Sequence, residues 1–158
     1  MDNSIILEAV YERDIDLLLL EEMHASTQFR RWLEQTIIGD QVEEASLIEA
    51  CHSICGVTPG GSGESDLILL FSDATNQRWA IPIENKVTAA AQPEQAFRYR
   101  ERGMHGVETG KWQRFKTAII APELYLSRGS DVANFDAKLS YEHKRRSQQS
   151  ASWRPRWI

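Results

Sequence analysis

The sequence has no apolar run of bilayer length. The longest stretches, within "DLLLL" and "LILLF", stop at five residues or fewer, against the roughly 20 that a spanning helix needs. The opening "MDNSIILEAVYERD" lacks a basic n-region and a cleavable apolar core, so no signal peptide is expected. Cysteine is scarce, with two in 158 residues. Cys51 and Cys55 fall on one face of a probable strand, too far apart along it for a comfortable disulfide. A reduced, cytoplasmic protein is the expectation. With His52 they make an incomplete zinc set, and no second ligand cluster accompanies them. "PGGSGE" lacks the Lys-Ser/Thr of a phosphate-binding loop, and no Gly-x-Ser-x-Gly elbow occurs. Internal repeats and domain linkers are also missing. One domain is expected over residues 1–141, followed by a basic polar tail, "EHKRRSQQSASWRPRWI", over 142–158.

Net positive charge is lacking too: the total is −5. Its distribution says more than the sum. Met1 to Lys86 holds 16 acids and 5 bases, whereas Val87 to Ile158 holds 7 acids and 13 bases. Such asymmetry fits an anionic partner meeting one side of the molecule, and equally fits acidic helices beside a basic tail.

What is present reads as an α/β chain. "ERDIDLLLLEEMHA" predicts a helix with Asp14 as N-cap and Ile15, Leu18, Leu19 and Met23 inward. "STQFRRWLEQTIIG" predicts a second, capped by Ser26, striped by Phe29, Trp32, Leu33 and Ile37, and ended by Gly39. "SLIEACHSI" is a strand, "CGVTPGGSG" a loop, and "DLILLFSDATNQRWAIPIENK" a hairpin. "AAAQPEQAFRYRERG" follows as a helix stopped at Gly103, then "MHGVETGKWQR" as a loop and "FKTAIIAPELYL" as a strand ending near Pro122. Three antiparallel strands followed by a helical crossover to a further strand make a mixed sheet with helices packed on it. Trp32, Trp79 and Trp112 read as packing aromatics.

The hairpin carries the chemistry. With Thr75 central in the turn, paired residues have numbers summing to 150, so Asp66 falls opposite Glu84 and Glu64 opposite Lys86. Opposed residues share a face with Cβ atoms roughly 4.5–5.5 Å apart. Folding alone does not reward two like charges so placed. Two explanations stand: a solvated hairpin end with Lys86 paired to Glu84 or Glu64, or a divalent cation between the carboxylates. Hard oxygen donors at that spacing suit Mg²⁺, with Mn²⁺ as a substitute. Lys86, two positions past Glu84, points to the same side and could orient a nucleophile or stabilise phosphate charge. On the next helix Gln95, Arg98, Tyr99 and Arg102 form one stripe, polar where such stripes are usually apolar. Facing the hairpin end, it could contact phosphates; facing solvent, it would be an ordinary polar surface with Phe97 packing instead.

"SD" at 65–66, "IENK" at 83–86 and "QAFRY" at 95–99 together resemble the PD-(D/E)XK nuclease superfamily. The third of these is similar to the QxxxY signature of its RecB-like branch. The resemblance spans about Asp14 to Leu126 and implies a restriction-endonuclease-like αβββαβ core. It implies that Asp66, Glu84 and the main-chain carbonyl of Asn85 bind Mg²⁺, that Lys86 is catalytic, and that Gln95 and Tyr99 support the site or contact DNA. An acid of the first helix usually joins such sites. Glu22 is favoured because it extends the inward stripe; Glu21 and Glu12 are the other candidates. Ser65 stands in place of the name-giving proline, and Asn85 where many members carry an apolar residue. Two cysteines cannot supply the four-cysteine iron–sulfur cluster of some relatives. The resemblance implies a DNA nuclease of repair, restriction or phage defence, with a homodimer suited to double-strand cleavage. A catalytically inactive nucleic-acid-binding module of the same fold is the alternative.

Overall fold

The computed structural model describes residues 11–39, 46–52, 65–87, 94–128 and 131–142. Two helices come first. α1 spans Glu12–Ala25, and its N-cap is Tyr11, not Asp14. Asp14 sits one turn inside the helix, where its carboxylate accepts the Tyr11 N–H at 2.9 Å. α2 spans Thr27–Ile38. Ser26 caps it as expected, its hydroxyl accepting the Phe29 N–H at 3.1 Å. Gly39 ends it at φ 78°, a left-handed value that glycine adopts without Cβ strain.

Six strands follow: β1 Ser46–His52, β2 Leu67–Ser72, β3 Arg78–Asn85, β4 Arg114–Phe115, β5 Ala118–Ala121 and β6 Ala137–Ser140. They form a sheet in the order β1-β2-β3-β5-β6, with β4 beside β3. β1, β2 and β3 are antiparallel neighbours, whereas β3–β4, β3–β5 and β5–β6 are parallel. The chain is therefore α/β with a mixed sheet flanked by helices. The hairpin pairs Leu67 with Ile83 and Ser72 with Arg78, so paired numbers sum to 150 as the turn residues predict. α3, Gln95–Glu108, crosses from β3 to the parallel strands.

Each sheet face has its own core. On one face Leu19, Met23, Phe29, Leu33, Ile37 and Ile38 of α1 and α2 cover Leu67, Leu69, Phe71, Ile81 and Ile83. On the other, Ala96 and Tyr99 of α3 meet Ile119, Ala121, Val132 and Phe135, and Trp112 packs on Ile68 and Ala80. Burying each large apolar side chain contributes roughly 1.5–3 kcal/mol.

Several boundaries differ from the sequence expectation. α3 does not stop at Gly103 but runs on through Gly106. A Cβ at Gly103 would collide with the Phe115 ring, and one at Gly106 with the Trp112 ring. These glycines mark close packing of β4 and Trp112 on the helix, not its end. The expected last strand splits into β4 and β5, and beyond Pro122 come a short helix, α4 Glu123–Arg128, a 3-10 turn Asp131–Asn134 and β6. Cys51 is disulfide-bonded, against expectation. Cys55, the loop after it, Pro93 and the tail from 143 lie outside the described residues. Among those described, no helix is long and apolar enough to cross a membrane.

Candidate metal and active site

The alternation of β3 decides which side chains meet. Ile81 and Ile83 point into the core under α1 and α2, so Asn85 follows them. Glu84 takes the opposite face, toward α3, and Asp66, one step before Leu67 in the same register, falls across from it. Three groups thus gather where the hairpin opens.

Asp66 Oδ2 accepts the main-chain N–H of Asn85 at 2.9 Å. The Asp66 N–H donates to the Tyr99 hydroxyl at 3.0 Å, and that hydroxyl reaches the Ile83 carbonyl at 3.3 Å. Glu84 Oε1 takes two donors, Lys86 Nζ at 2.6 Å and Gln95 Nε2. The Lys86 ammonium also lies 3.5 Å from Glu12 Oε2. Lys86 is fixed at its backbone as well, its N–H donating to Ile120 O at 2.9 Å. A stray polar strand end would be exposed. Here Glu84 is 2 % and Lys86 6 % exposed.

Burial raises the Glu84 carboxyl above its ordinary pKa, and the nearby Asp66 charge raises it further. Burial likewise raises Asp66, against the Asn85 N–H, which lowers it. For Lys86, burial pulls the ammonium down, but its hydrogen bond to Glu84 and the charges of Glu84, Glu12 and Asp66 outweigh that; the net shift is upward. Tyr99 is raised well above the usual phenol value by burial, so it stays a neutral donor. The site is two mutually repelling carboxylates held together, with one ammonium as partial compensation.

The polar stripe of α3 faces inward, and Phe97 is the residue left in solvent, 58 % exposed. Gln95 and Tyr99 hold Glu84 and Asp66 as described. Arg102 is buried, donates to Ser65 Oγ at 3.1 Å and stacks on the Tyr99 ring at 4.8 Å. These three are buried supports of the site, which is one of the two roles expected for Gln95 and Tyr99; Arg102, expected to contact phosphate, is turned to Ser65 instead. Arg98 is half-buried, the least enclosed of the four.

The first-helix acid at the site is Glu12, not Glu22. Glu12 contacts Lys86 and accepts the Val87 N–H at 3.2 Å. Glu22 is buried ten positions along α1, about 15 Å of helix away, and Glu21 is exposed beside it. Sequence reasoning also missed Asp16 and His52. Asp16, 3 % exposed, accepts from Asn85 Nδ2 at 2.9 Å and faces His52 Nε2 at 3.2 Å. Asn85 Nδ2 also donates to the Glu12 carbonyl at 3.0 Å. This amide ties α1 to β3, which accounts for asparagine at a position expected to be apolar. A signal was available: Glu12 and Asp16 continue the Leu19–Met23 stripe at helical spacing.

Two carboxylates and a main-chain carbonyl are hard donors that fit Mg²⁺. Asn85 Oδ1, beside them on the α1 side, is buried without a hydrogen-bond partner. Among the described residues, no three His, Cys, Asp or Glu side chains converge into a ready metal cage. No family model matches the chain, and no curated protein or solved structure matches it either.

Proposed function

We propose that the chain is a Mg²⁺-dependent nuclease of the PD-(D/E)XK kind, hydrolysing phosphodiester bonds in DNA. The observation that carries this reading is the convergence of half-buried Asp66 with buried Glu84 and Lys86 at one hairpin end, braced by Gln95 and Tyr99. Asp66, Glu84 and the Asn85 carbonyl would hold the cation, and Mn²⁺ would substitute. A bound divalent cation supplies Lewis acidity toward phosphate. Lys86 is held charged by its neighbours, so it neutralises developing phosphate charge and orients the attacking water. Gln95 fixes the Glu84 carboxylate, and Tyr99 fixes the strand at Asp66. Arg98 is assigned to phosphate contact.

In this reading the protein works in the cytoplasm, in repair, restriction or phage defence. The disulfide at Cys51 runs against a reducing compartment, so the location rests on the DNA substrate alone. A homodimer would suit cleavage of both strands. The test is cleavage of DNA in Mg²⁺ and in EDTA by wild type, Asp66→Ala and Lys86→Ala. Cleavage by wild type alone, and only with metal, supports the reading; equal cleavage by all three defeats it. DNA binding in EDTA without cleavage under any condition would favour the inactive module.

A further inference from the structure

One buried acid lies away from the sheet end. Glu34 on α2 is 5 % exposed and has no hydrogen bond or ion pair within the described residues. Glu34 lines a cavity of about 430 Å³ between α2 and β1, with Arg30, Arg31, Leu47, Ile48 and Glu49 also in its walls. That volume lies in the range of small-ligand sites. β1 separates this cavity from the sheet-end site: it is lined at Ser46–Glu49, while His52 at the strand's other end meets Asp16.

The walls restrict the ligand. Arg30 is already committed, its guanidinium donating to Met23 O at 2.7 Å and Thr27 Oγ1 at 2.8 Å. It adds fixed positive charge close to Glu34 while closing off its own donors. Arg31 is exposed at the rim. A simple cation would be repelled by the two guanidiniums, and a simple anion by Glu34 and Glu49. The complementary ligand has an anionic group for Arg31, a flat body for Leu47 and Ile48, and paired N–H donors for the Glu34 carboxylate. A carboxylate accepts two parallel N–H groups in one plane. Guanine presents such an edge, whereas adenine offers a donor beside an acceptor.

We propose that the α2–β1 cavity is a binding site for a guanine nucleotide, read by Glu34 and anchored by Arg31. The site does not depend on the nuclease reading.

The experiment is calorimetric titration of the full chain with guanosine monophosphate, adenosine monophosphate and inorganic phosphate. All titrations run at pH 8, where Glu34 is ionised, and in EDTA, so that no phosphate binds through a cation at the sheet end. Guanosine monophosphate is expected to bind with a Kd below about 1 mM, and at least about tenfold tighter than the other two, one such step being 1.4 kcal/mol. Glu34→Gln should remove that preference, and Arg31→Ala should weaken the nucleotide while guanosine, titrated alongside, binds as it does to wild type. Circular dichroism confirms that each variant is folded, and Glu34→Leu serves as a second variant should Glu34→Gln fail to fold. No binding by wild type, equal binding of all three probes, or an unchanged preference in Glu34→Gln or Glu34→Leu would overturn the proposal.

Discussion

The two ends of the β2–β3 hairpin each carry an aspartate, and the two are treated in opposite ways. At the turn, the Asp73 carboxylate accepts from Thr75 N at 2.9 Å, Thr75 Oγ1 at 2.7 Å, Gln77 N at 2.9 Å and Trp79 Nε1 at 3.2 Å. The hydrogen bond from Thr75 leads these in holding its pKa below the ordinary value. At the open end half-buried Asp66 faces buried Glu84, and both are raised, mainly by their removal from water. Four donors favour the charged form of the turn acid; at the open end the donors to Asp66 and Glu84 do not offset removal from water and mutual repulsion. Acids that build a turn stabilise it, and acids that a fold holds at a cost point to a ligand. Four variants or conditions can break or sharpen that contrast.

The largest effect belongs to the open end. Glu84→Ala and Asp66→Ala should each reduce DNA cleavage at least about a hundredfold, with the far-ultraviolet circular dichroism unchanged. Next come pH and metal together. A carboxyl raised in the folded state stabilises the fold fully below its unfolded pKa and loses that contribution as pH climbs through the folded value. In EDTA, stability to urea should therefore fall as pH rises past the ordinary values of 3.8 and 4.5 for these two acids. Added Mg²⁺ should restore it at neutral pH in wild type but not in Glu84→Ala, as mass action on the folded state requires.

Glu34 gives a test within the same logic but away from the hairpin. Burial raises its carboxyl from 4.5 to about 7, with Arg30 and Arg31 opposing. Its stabilising contribution is complete below pH 4.5 and lost as pH passes about 7. Glu34→Gln should thus be more stable than wild type at pH 8 by on the order of 2 kcal/mol, and the gap should close by pH 4. Urea unfolding at both pH values measures it. The smallest effect is expected at the turn: Asp73→Ala should lower the melting temperature while leaving cleavage per folded molecule as in wild type. A turn variant that loses activity as Glu84→Ala does would erase the contrast.

How much of this was legible beforehand follows from period and from what interrupts it. The turn residues "DATNQ" between two apolar runs fix the hairpin register, so the meeting of 66 with 84 could be read directly. The polar stripe Gln95–Arg102 was legible as a stripe, but its direction was not, because burial of Arg102 depends on Ser65 and the Tyr99 ring. Glu12 was ranked below Glu22 because the helix start was set at Asp14, which left out the turn that carries the site residue. Gly103 misled as a stop signal because its role is room for an aromatic ring from a distant segment. β6, only four residues long, carries too little alternation to announce itself.

Titration of the protein with Mn²⁺, followed by calorimetry on wild type, Asp66→Ala and Glu84→Ala, reaches the central claim without passing through catalysis. The account predicts saturable binding by wild type that either substitution abolishes, while Asp73→Ala binds normally. Retained binding in both site variants, or none in wild type, would mean that the Asp66 and Glu84 carboxylates hold no ion between them.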